Sequence, residues 1–134
     1  MKILKVMEQL QDGGSGYQSF TELKAWQAAR VVKLVVQELT RDFPETEKFR
    51  LNNQIIRSSR SVGNNIAEGH GRRTPKELHF CTQARGSLSE TLGHMIDALD
   101  AAYISETQLN DFKIKFQNAE ALLDGYIKFL RGKL

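Results

Sequence analysis

Apolar side chains recur along most of the chain at steps of three, four or seven residues, the spacing of one face of an α-helix. The pattern forms four long segments and lacks the strict alternation typical of half-buried strands. The second segment has Leu51, Ile55, Val62 and Ile66. The third segment has Leu78, Cys81, Leu88, Leu92, Met95, Leu99 and Tyr103. The fourth segment has Leu109, Phe112, Phe116, Ala119, Leu123, Tyr126 and Leu130.

The first segment is apolar over more of its circumference than the others. Its apolar residues are Phe20, Leu23, Trp26, Val31, Val32, Leu34, Val35, Val36 and Leu39. A single core-facing stripe does not need so many positions. The width of this surface suggests a second contact, for example with another subunit.

Local signals predict where the helices begin and end. Ser19–Glu22, Thr74–Glu77 and Ser105–Gln108 each match a capping box, in which two side chains satisfy free amides at a helix start. Phe43-Pro44 predicts a break, because the residue before proline avoids the helical region. Pro44 also suits the first turn of the next helix. The predicted helices therefore span 20–42, 44–68, 75–103 and 106–131.

Four helices joined by short loops predict an all-α fold, an antiparallel up-down-up-down four-helix bundle over residues 20–134. Residues 1–19 form a separate segment that contains a glycine-rich linker, Asp12–Gly16. The residues before this linker are compatible with a short amphipathic helix or with a loosely ordered arm. The sequence leaves both alternatives open.

Composition limits the partners and the cellular compartment. The 134 residues carry a net charge of +3, which permits an acidic partner such as RNA without requiring one. The single cysteine, Cys81, cannot form an intrachain disulfide, and we expect a cytoplasmic protein. No apolar run approaches the roughly 20 residues of a membrane span, so no membrane partner is expected.

Candidate catalytic and metal-binding residues do not form a recognisable site. A di-iron bundle needs Glu-x-x-His pairs, and none occurs. The histidines, His70, His79 and His94, have no mutual ligand spacing. Cys81 lies on an apolar stripe and is expected to pack as a small hydrophobic side chain. Gly69–Thr74 lacks the P-loop pattern. We therefore expect no catalytic residue, no metal and no cofactor.

One polar stripe on the second helix is unusual. Arg57, Ser61, Asn65 and Glu68 follow each other at helical spacing beside the apolar stripe. Together with Arg85 and Glu90 of the third helix, they predict an interhelical polar network. In this network Glu68 or Glu90 would accept hydrogen bonds from Arg57 or Arg85. The alternative is a set of ordinary exposed side chains.

Two glycines are predicted to have structural roles. Gly69 follows the last periodic residue of the second helix and predicts a left-handed C-terminal cap. Gly63, inside that helix, predicts the close approach of a neighbouring backbone.

Several sequence blocks resemble one bacterial family, the 23S rRNA intervening-sequence proteins. The resemblance extends from about residue 20 to the C-terminus. Its blocks are Phe20–Gln27, Phe43-Pro44, Leu51–Ile55, Ser61–Gly69 and Ala84–Glu90. The resemblance implies a four-helix bundle that self-associates as a ring-shaped homopentamer. It also implies similarity in fold to the accessory variability determinant proteins of diversity-generating retroelements. It brings no catalytic residue.

Two functions remain open from the sequence. The first is a non-enzymatic, oligomeric protein that binds RNA or a nucleoprotein through basic side chains, mainly at phosphates. The candidate contacts are Lys48, Arg50, Arg57, Arg60, Arg72, Arg73 and Lys76. The alternative is a protein-interaction adaptor or assembly scaffold without a nucleic-acid role. In that case the apolar surface of the first helix and the chain termini would carry the function.

Overall fold

A computed structural model describes Ile3 and residues 19–134, and its fold is all-α. The four long helices of this part are α1 (Lys24–Thr40), α2 (Leu51–Gly69), α3 (Thr74–Asp100) and α4 (Glu106–Arg131). Each helix packs against its neighbours in the chain, and α1 also packs against α4. The helices therefore form the predicted up-down bundle, in which α2 and α4 lie diagonally opposite each other.

The apolar stripes of the four helices meet in one core. Val36, Ile55, Leu88 and Phe112 are fully buried representatives of α1, α2, α3 and α4. Burial of such side chains stabilises a fold by roughly 1.5–3 kcal/mol each. A polar contact also lies inside this core, where the Thr91 hydroxyl of α3 donates to the Ser58 hydroxyl of α2 at 2.9 Å. The hydrogen bond satisfies both buried groups and joins the two helices.

Only one of the three predicted capping boxes starts a helix as expected. At Ser105 both reciprocal hydrogen bonds of the box are present, and α4 begins at the next residue. The Ser19 side chain instead accepts from the Thr21 amide and caps a short 3-10 helix, Phe20–Glu22. Leu23 is extended, and α1 begins at Lys24 without a side-chain cap. The predicted start of the first helix was therefore wrong by one turn.

The predicted starts of the second and third helices also need correction. A 3-10 helix, Glu45–Glu47, follows Pro44, and α2 begins only at Leu51. In α3, Thr74 is the first helical residue rather than the cap, and Arg73 precedes the helix without a capping hydrogen bond from its side chain. Pro75 does lie in the first turn, where its missing amide has no cost.

The tight corner between α2 and α3 depends on two glycines. Gly71 has the left-handed conformation (φ 80°), so the cap predicted at Gly69 was placed on the wrong residue. Gly69 is needed for space instead. A Cβ at this position would lie 2.8 Å from the Phe80 Cβ and 3.3 Å from the Glu77 backbone. The corner thus brings the end of α2 directly onto the start of α3.

The outer apolar surface of α1 has a contact within the same chain. Ile3 is buried against Val31 and Leu34, which are themselves almost fully buried. This contact accounts for part of the width of the apolar surface on α1. The sequence left open whether residues 1–19 form an arm or a short helix. Apart from Ile3 and Ser19, these residues lie outside the part of the chain that the structure describes.

Candidate nucleic-acid interface

An exposed row of arginine and asparagine side chains follows the outer surface of α2. Its members are Arg50, which directly precedes α2, and Asn53, Arg57, Arg60 and Asn64 within the helix, at alternating steps of three and four residues. All five are exposed, because the opposite face of α2 carries the buried residues of the core. The row extends for roughly 21 Å at 1.5 Å per residue. We call these five residues the α2 stripe.

The arginines of the α2 stripe have no protein partner in the described part of the chain. No hydrogen bond or ion pair there involves the guanidinium of Arg50, Arg57 or Arg60. The one carboxylate of α2, Glu68, lies in the last turn and accepts from Arg72 at 2.6 Å. The stripe therefore presents guanidinium groups and side-chain amides to solvent without a neighbouring carboxylate on its own helix.

Basic residues of α1 extend this positive surface across a groove between α1 and α2. Arg30 and Lys33 line the groove from α1, opposite Arg60 and Asn64 of α2. Arg30 and Lys33 were not among the predicted contacts. The sequence did contain a signal for them. Arg30 and Lys33 are three residues apart, which places them on one face of α1, and the single acidic residue of this helix is Glu38.

Close packing of a tryptophan at Gly63 brings these two helices together. A Cβ at Gly63 would lie 3.3 Å from the indole Nε1 of Trp26. The predicted close neighbour of Gly63 is therefore a side chain rather than a backbone. Trp26 in turn packs edge-on against Phe20, with ring centroids 5.3 Å apart. The Trp26 indole therefore lines the groove between the basic residues of α1 and those of α2.

The seven predicted basic contacts do not form one patch. Lys48 and Arg50 lie just before the start of α2, and Arg57 and Arg60 follow along the helix. The Lys48 ammonium is 3.9 Å from the Glu45 carboxylate. Arg72, Arg73 and Lys76 lie at the other end, where α2 meets α3. The two ends of α2 are separated by roughly 28 Å. Arg72 also contacts the face of the Phe80 ring, at 5.3 Å from its centroid.

Part of the predicted polar stripe links α2 to α3. The Ser61 and Ser87 hydroxyls are 2.9 Å apart, and Asn65 donates to the Ser61 backbone carbonyl at 2.9 Å and to its hydroxyl at 3.0 Å. Sequence reasoning missed Ser87 as the partner on α3. These short side chains allow α2 and α3 to approach closely behind the α2 stripe.

The predicted ionic partners of this network differ from those in the structure. Arg85 donates to Asp124 at 2.8 Å and to Glu120 at 2.5 Å, both on α4. It therefore contacts neither Glu68, which pairs with Arg72, nor Glu90, which lies 3.4 Å from the His94 ring. The reason is geometric, because Arg85 lies on the side of α3 that faces α4, whereas α2 packs on the other side. Arg57 remains on the solvent-exposed α2 stripe.

A buried polar cluster near the α2–α3 corner was not predicted. The Glu77 carboxylate is almost fully buried and accepts from the Tyr126 hydroxyl of α4 at 2.7 Å. Burial, followed by the hydrogen bond to Glu77, raises the pKa of Tyr126 well above its usual range. The neighbouring Cys81 is fully buried, and this burial, with a smaller effect of the Glu77 charge, raises its pKa to about 11. Cys81 is therefore a neutral thiol near pH 7 and a poor nucleophile.

The described residues contain no cluster of three or more His, Cys, Asp or Glu side chains with the geometry of a metal site. No helix in the same part is long and apolar enough to cross a membrane.

Comparison with known proteins identifies the family. A comparison with curated proteins finds no significant match. The family model described as 23S rRNA-intervening sequence protein matches residues 21–125, which include all of α1, α2 and α3 and most of α4. The chain belongs to the 23S rRNA-intervening sequence protein family.

Proposed function

We propose that this protein is a non-enzymatic RNA-binding bundle that contacts phosphates through the α2 stripe. The observation that supports this proposal is the row of exposed arginines, which have no protein partner among the described residues. Guanidinium groups bind phosphate oxygens through paired, charge-assisted hydrogen bonds. The Asn53 and Asn64 amides, placed between and beside the arginines, add neutral donors for phosphate or ribose oxygens.

The charge of the neighbouring helix favours the same surface. Arg30 and Lys33 of α1 face the groove beside Arg60, so a strand on the α2 stripe would have basic side chains along one flank. Phosphate contacts of this kind release counterions, and binding must therefore weaken steeply as salt increases. The same contacts carry little sequence information, so we expect modest selectivity among RNA sequences.

We also propose that the protein acts as a homo-oligomer, as the family resemblance implies. A ring of five copies, each with a net charge of +3, would carry roughly +15 and several α2 stripes. When several subunits of one ring bind the same RNA molecule, the first contact holds the RNA close to the other subunits. The effective concentration of RNA at those subunits is then high, and the overall affinity of the ring for RNA increases.

The alternative function, a protein-interaction adaptor, was predicted from the apolar surface of α1 together with the chain termini. Val31 and Leu34 of that surface are buried against Ile3 of the same chain. They are therefore not available as a free docking surface, and RNA binding is the function that we favour.

The proposal is tested by removing charge from the middle of the α2 stripe. The double variant Arg57→Gln/Arg60→Gln should bind structured RNA more weakly by about tenfold or more at ~50 mM salt. Its plot of log affinity against log salt should become shallower by about 1 for each lost phosphate contact. Both side chains are exposed, so the variant should fold as the wild type does.

A charge-matched control uses two exposed basic residues of α4. Lys128→Gln/Arg131→Gln removes the same charge from the helix diagonally opposite α2. This control should change affinity and salt slope much less than Arg57→Gln/Arg60→Gln. The proposal is wrong if the wild type fails to bind RNA at ~50 mM salt, where phosphate contacts are strongest. Equal losses in the two double variants would show that net charge, and not the α2 stripe, controls binding.

A further inference from the structure

A largely exposed aromatic side chain lies at the start of the α2 stripe. Phe49 is 85% exposed, the highest value among the large hydrophobic side chains of the described residues. It is flanked in the sequence by Lys48 and Arg50, and the Lys48 ammonium lies 5.8 Å from the centroid of its ring. The chain therefore presents an exposed aromatic ring, flanked in the sequence by two basic residues, immediately before α2 begins at Leu51.

The surroundings of Phe49 do not resemble a protein-docking surface. Lys48 and Arg50, next to Phe49 in the sequence, are exposed, as are Pro44 and Glu45 a few residues earlier, and the Glu45 carboxylate lies 3.9 Å from the Lys48 ammonium. A docking surface for another protein normally needs a contiguous apolar patch of several hundred Å². A single ring among charged side chains offers a flat face for stacking and cations for phosphates. This combination matches a nucleotide with an unpaired base.

We propose that Phe49 stacks on an unpaired base of the RNA whose neighbouring phosphates contact Lys48, Arg50 and the α2 stripe. The inference rests on the proposed RNA-binding function and narrows its ligand to RNA with single-stranded bases. In a regular duplex the bases are already stacked inside the helix and cannot reach an aromatic side chain. The strand would start at Phe49 and continue along Arg57 and Arg60.

Stacking and charge make separable contributions. An aromatic side chain that stacks on a base raises affinity without a phosphate contact, so its loss leaves the salt dependence unchanged. A guanidinium that neutralises a phosphate contributes through counterion release, so its loss makes the salt dependence shallower. The two kinds of side chain can therefore be distinguished in one titration series.

The decisive experiment compares Phe49→Leu with the wild type on two probes, a single-stranded oligouridine and a duplex RNA of equal length. Leucine keeps an apolar side chain of similar size but removes the flat ring. We expect Phe49→Leu to bind the single strand about tenfold more weakly, with an unchanged salt slope. Its affinity for the duplex should remain that of the wild type.

A matched control is available at the opposite end of the bundle. Phe129 is also an exposed phenylalanine beside a lysine, with the Lys133 ammonium 4.6 Å from its ring centroid. It lies near the end of α4 and far from the α2 stripe. Phe129→Leu should leave binding of both probes unchanged.

A second variant provides a spectroscopic signal of stacking. Phe49→Trp keeps an aromatic ring, so it should bind the single strand as tightly as the wild type or more tightly. The chain contains one other tryptophan, Trp26. The additional fluorescence of the variant should be quenched by oligouridine and not by the duplex.

The outcomes separate this inference from the proposed function. If the wild type binds both probes but Phe49→Leu binds the single strand equally well, stacking is wrong and the charge-based function stands. Equal losses on both probes, or a changed oligomeric mass of Phe49→Leu, would show that Phe49 supports the fold or a subunit contact and would overturn the inference. If the wild type binds neither probe, the function and the inference fall together.

Discussion

Space at individual residues controls how closely the helices approach each other. Gly63 and Gly69 both lie in α2, and both face a neighbour that a methyl group would crowd. At Gly63 the neighbour is the Trp26 indole, whereas at Gly69 it is the Cβ of Phe80 and the backbone of α3. A flexible side chain can move by a few tenths of an ångström, but the backbone of a packed helix cannot. The requirement for glycine is therefore stricter at Gly69.

Gly69→Ala should reduce the free energy of unfolding by about 1–3 kcal/mol, the usual cost of overpacking. Gly69 does not have a positive φ, so alanine can adopt its backbone conformation and the cost is one of space alone. The measurement is urea unfolding followed by circular dichroism.

Gly86→Ala is the matched control for this prediction. Gly86 lies inside α3, and apart from the adjoining residues and nearby backbone of its own helix no atom lies within 4 Å of the place that an alanine methyl group would take. Alanine should therefore stabilise the protein by up to about 1 kcal/mol through helix propensity. If both alanine variants changed stability in the same direction, the close contact at Gly69 would not be the cause.

At the scale of the helices, periodicity was a better guide than capping motifs. The apolar stripes identified all four helices because every turn of a buried helix contributes to the signal. A capping box rests on only two side chains, and tertiary contacts can redirect them. Ser19 and Thr74 match the motif, yet Ser19 caps a 3-10 helix and Thr74 is already helical.

The candidate site shows the same limit of sequence reasoning. Arg57 and Arg60 could be predicted because they share an exposed face of one helix. The partners of Arg85 could not, because they belong to α4 and depend on the rotation of α3 about its axis. Phe49 gave no periodic signal at all, since it precedes α2 and its exposure is a property of the folded chain.

The difference between a real and an apparent capping box can be measured. Ser105→Ala removes the hydroxyl that accepts from the Gln108 amide at 3.1 Å, and this should cost about 1 kcal/mol of unfolding free energy. Thr74→Ala should cost clearly less, because no capping hydrogen bond starts at this position of α3. Thermal and urea unfolding of the two variants test the difference. A cost near zero for Ser105→Ala would mean that its box does not stabilise α4, and equal costs of about 1 kcal/mol would mean that Thr74 stabilises the start of α3 as much as a capping box does.

At the scale of the whole molecule, charge is distributed unevenly. The helices α1 and α2 carry Lys24, Arg30, Lys33, Arg57 and Arg60 against Glu38 and Glu68. The acidic residues of α3, in contrast, outnumber its basic ones. In a head-to-tail ring, one surface of each subunit contacts a different surface of the next subunit. The basic surface of α1 and α2 could therefore pair with the acidic surface of α3 on a neighbouring subunit. Such an arrangement would bury the α2 stripe between subunits and remove it from RNA.

Our proposals require the opposite arrangement, in which the assembled protein leaves the α2 stripe exposed. Arg57→Gln/Arg60→Gln should therefore keep the oligomeric mass of the wild type while its affinity for RNA falls. Native mass spectrometry and light scattering measure this mass against the 15.2 kDa of one chain. Five copies in both proteins would agree with a ring whose contacts lie elsewhere. Dissociation of the variant alone would assign the α2 stripe to the subunit interface. A monomeric wild type would refute the proposed oligomer. Phosphate binding by a single bundle would then still be tested by the same RNA titrations.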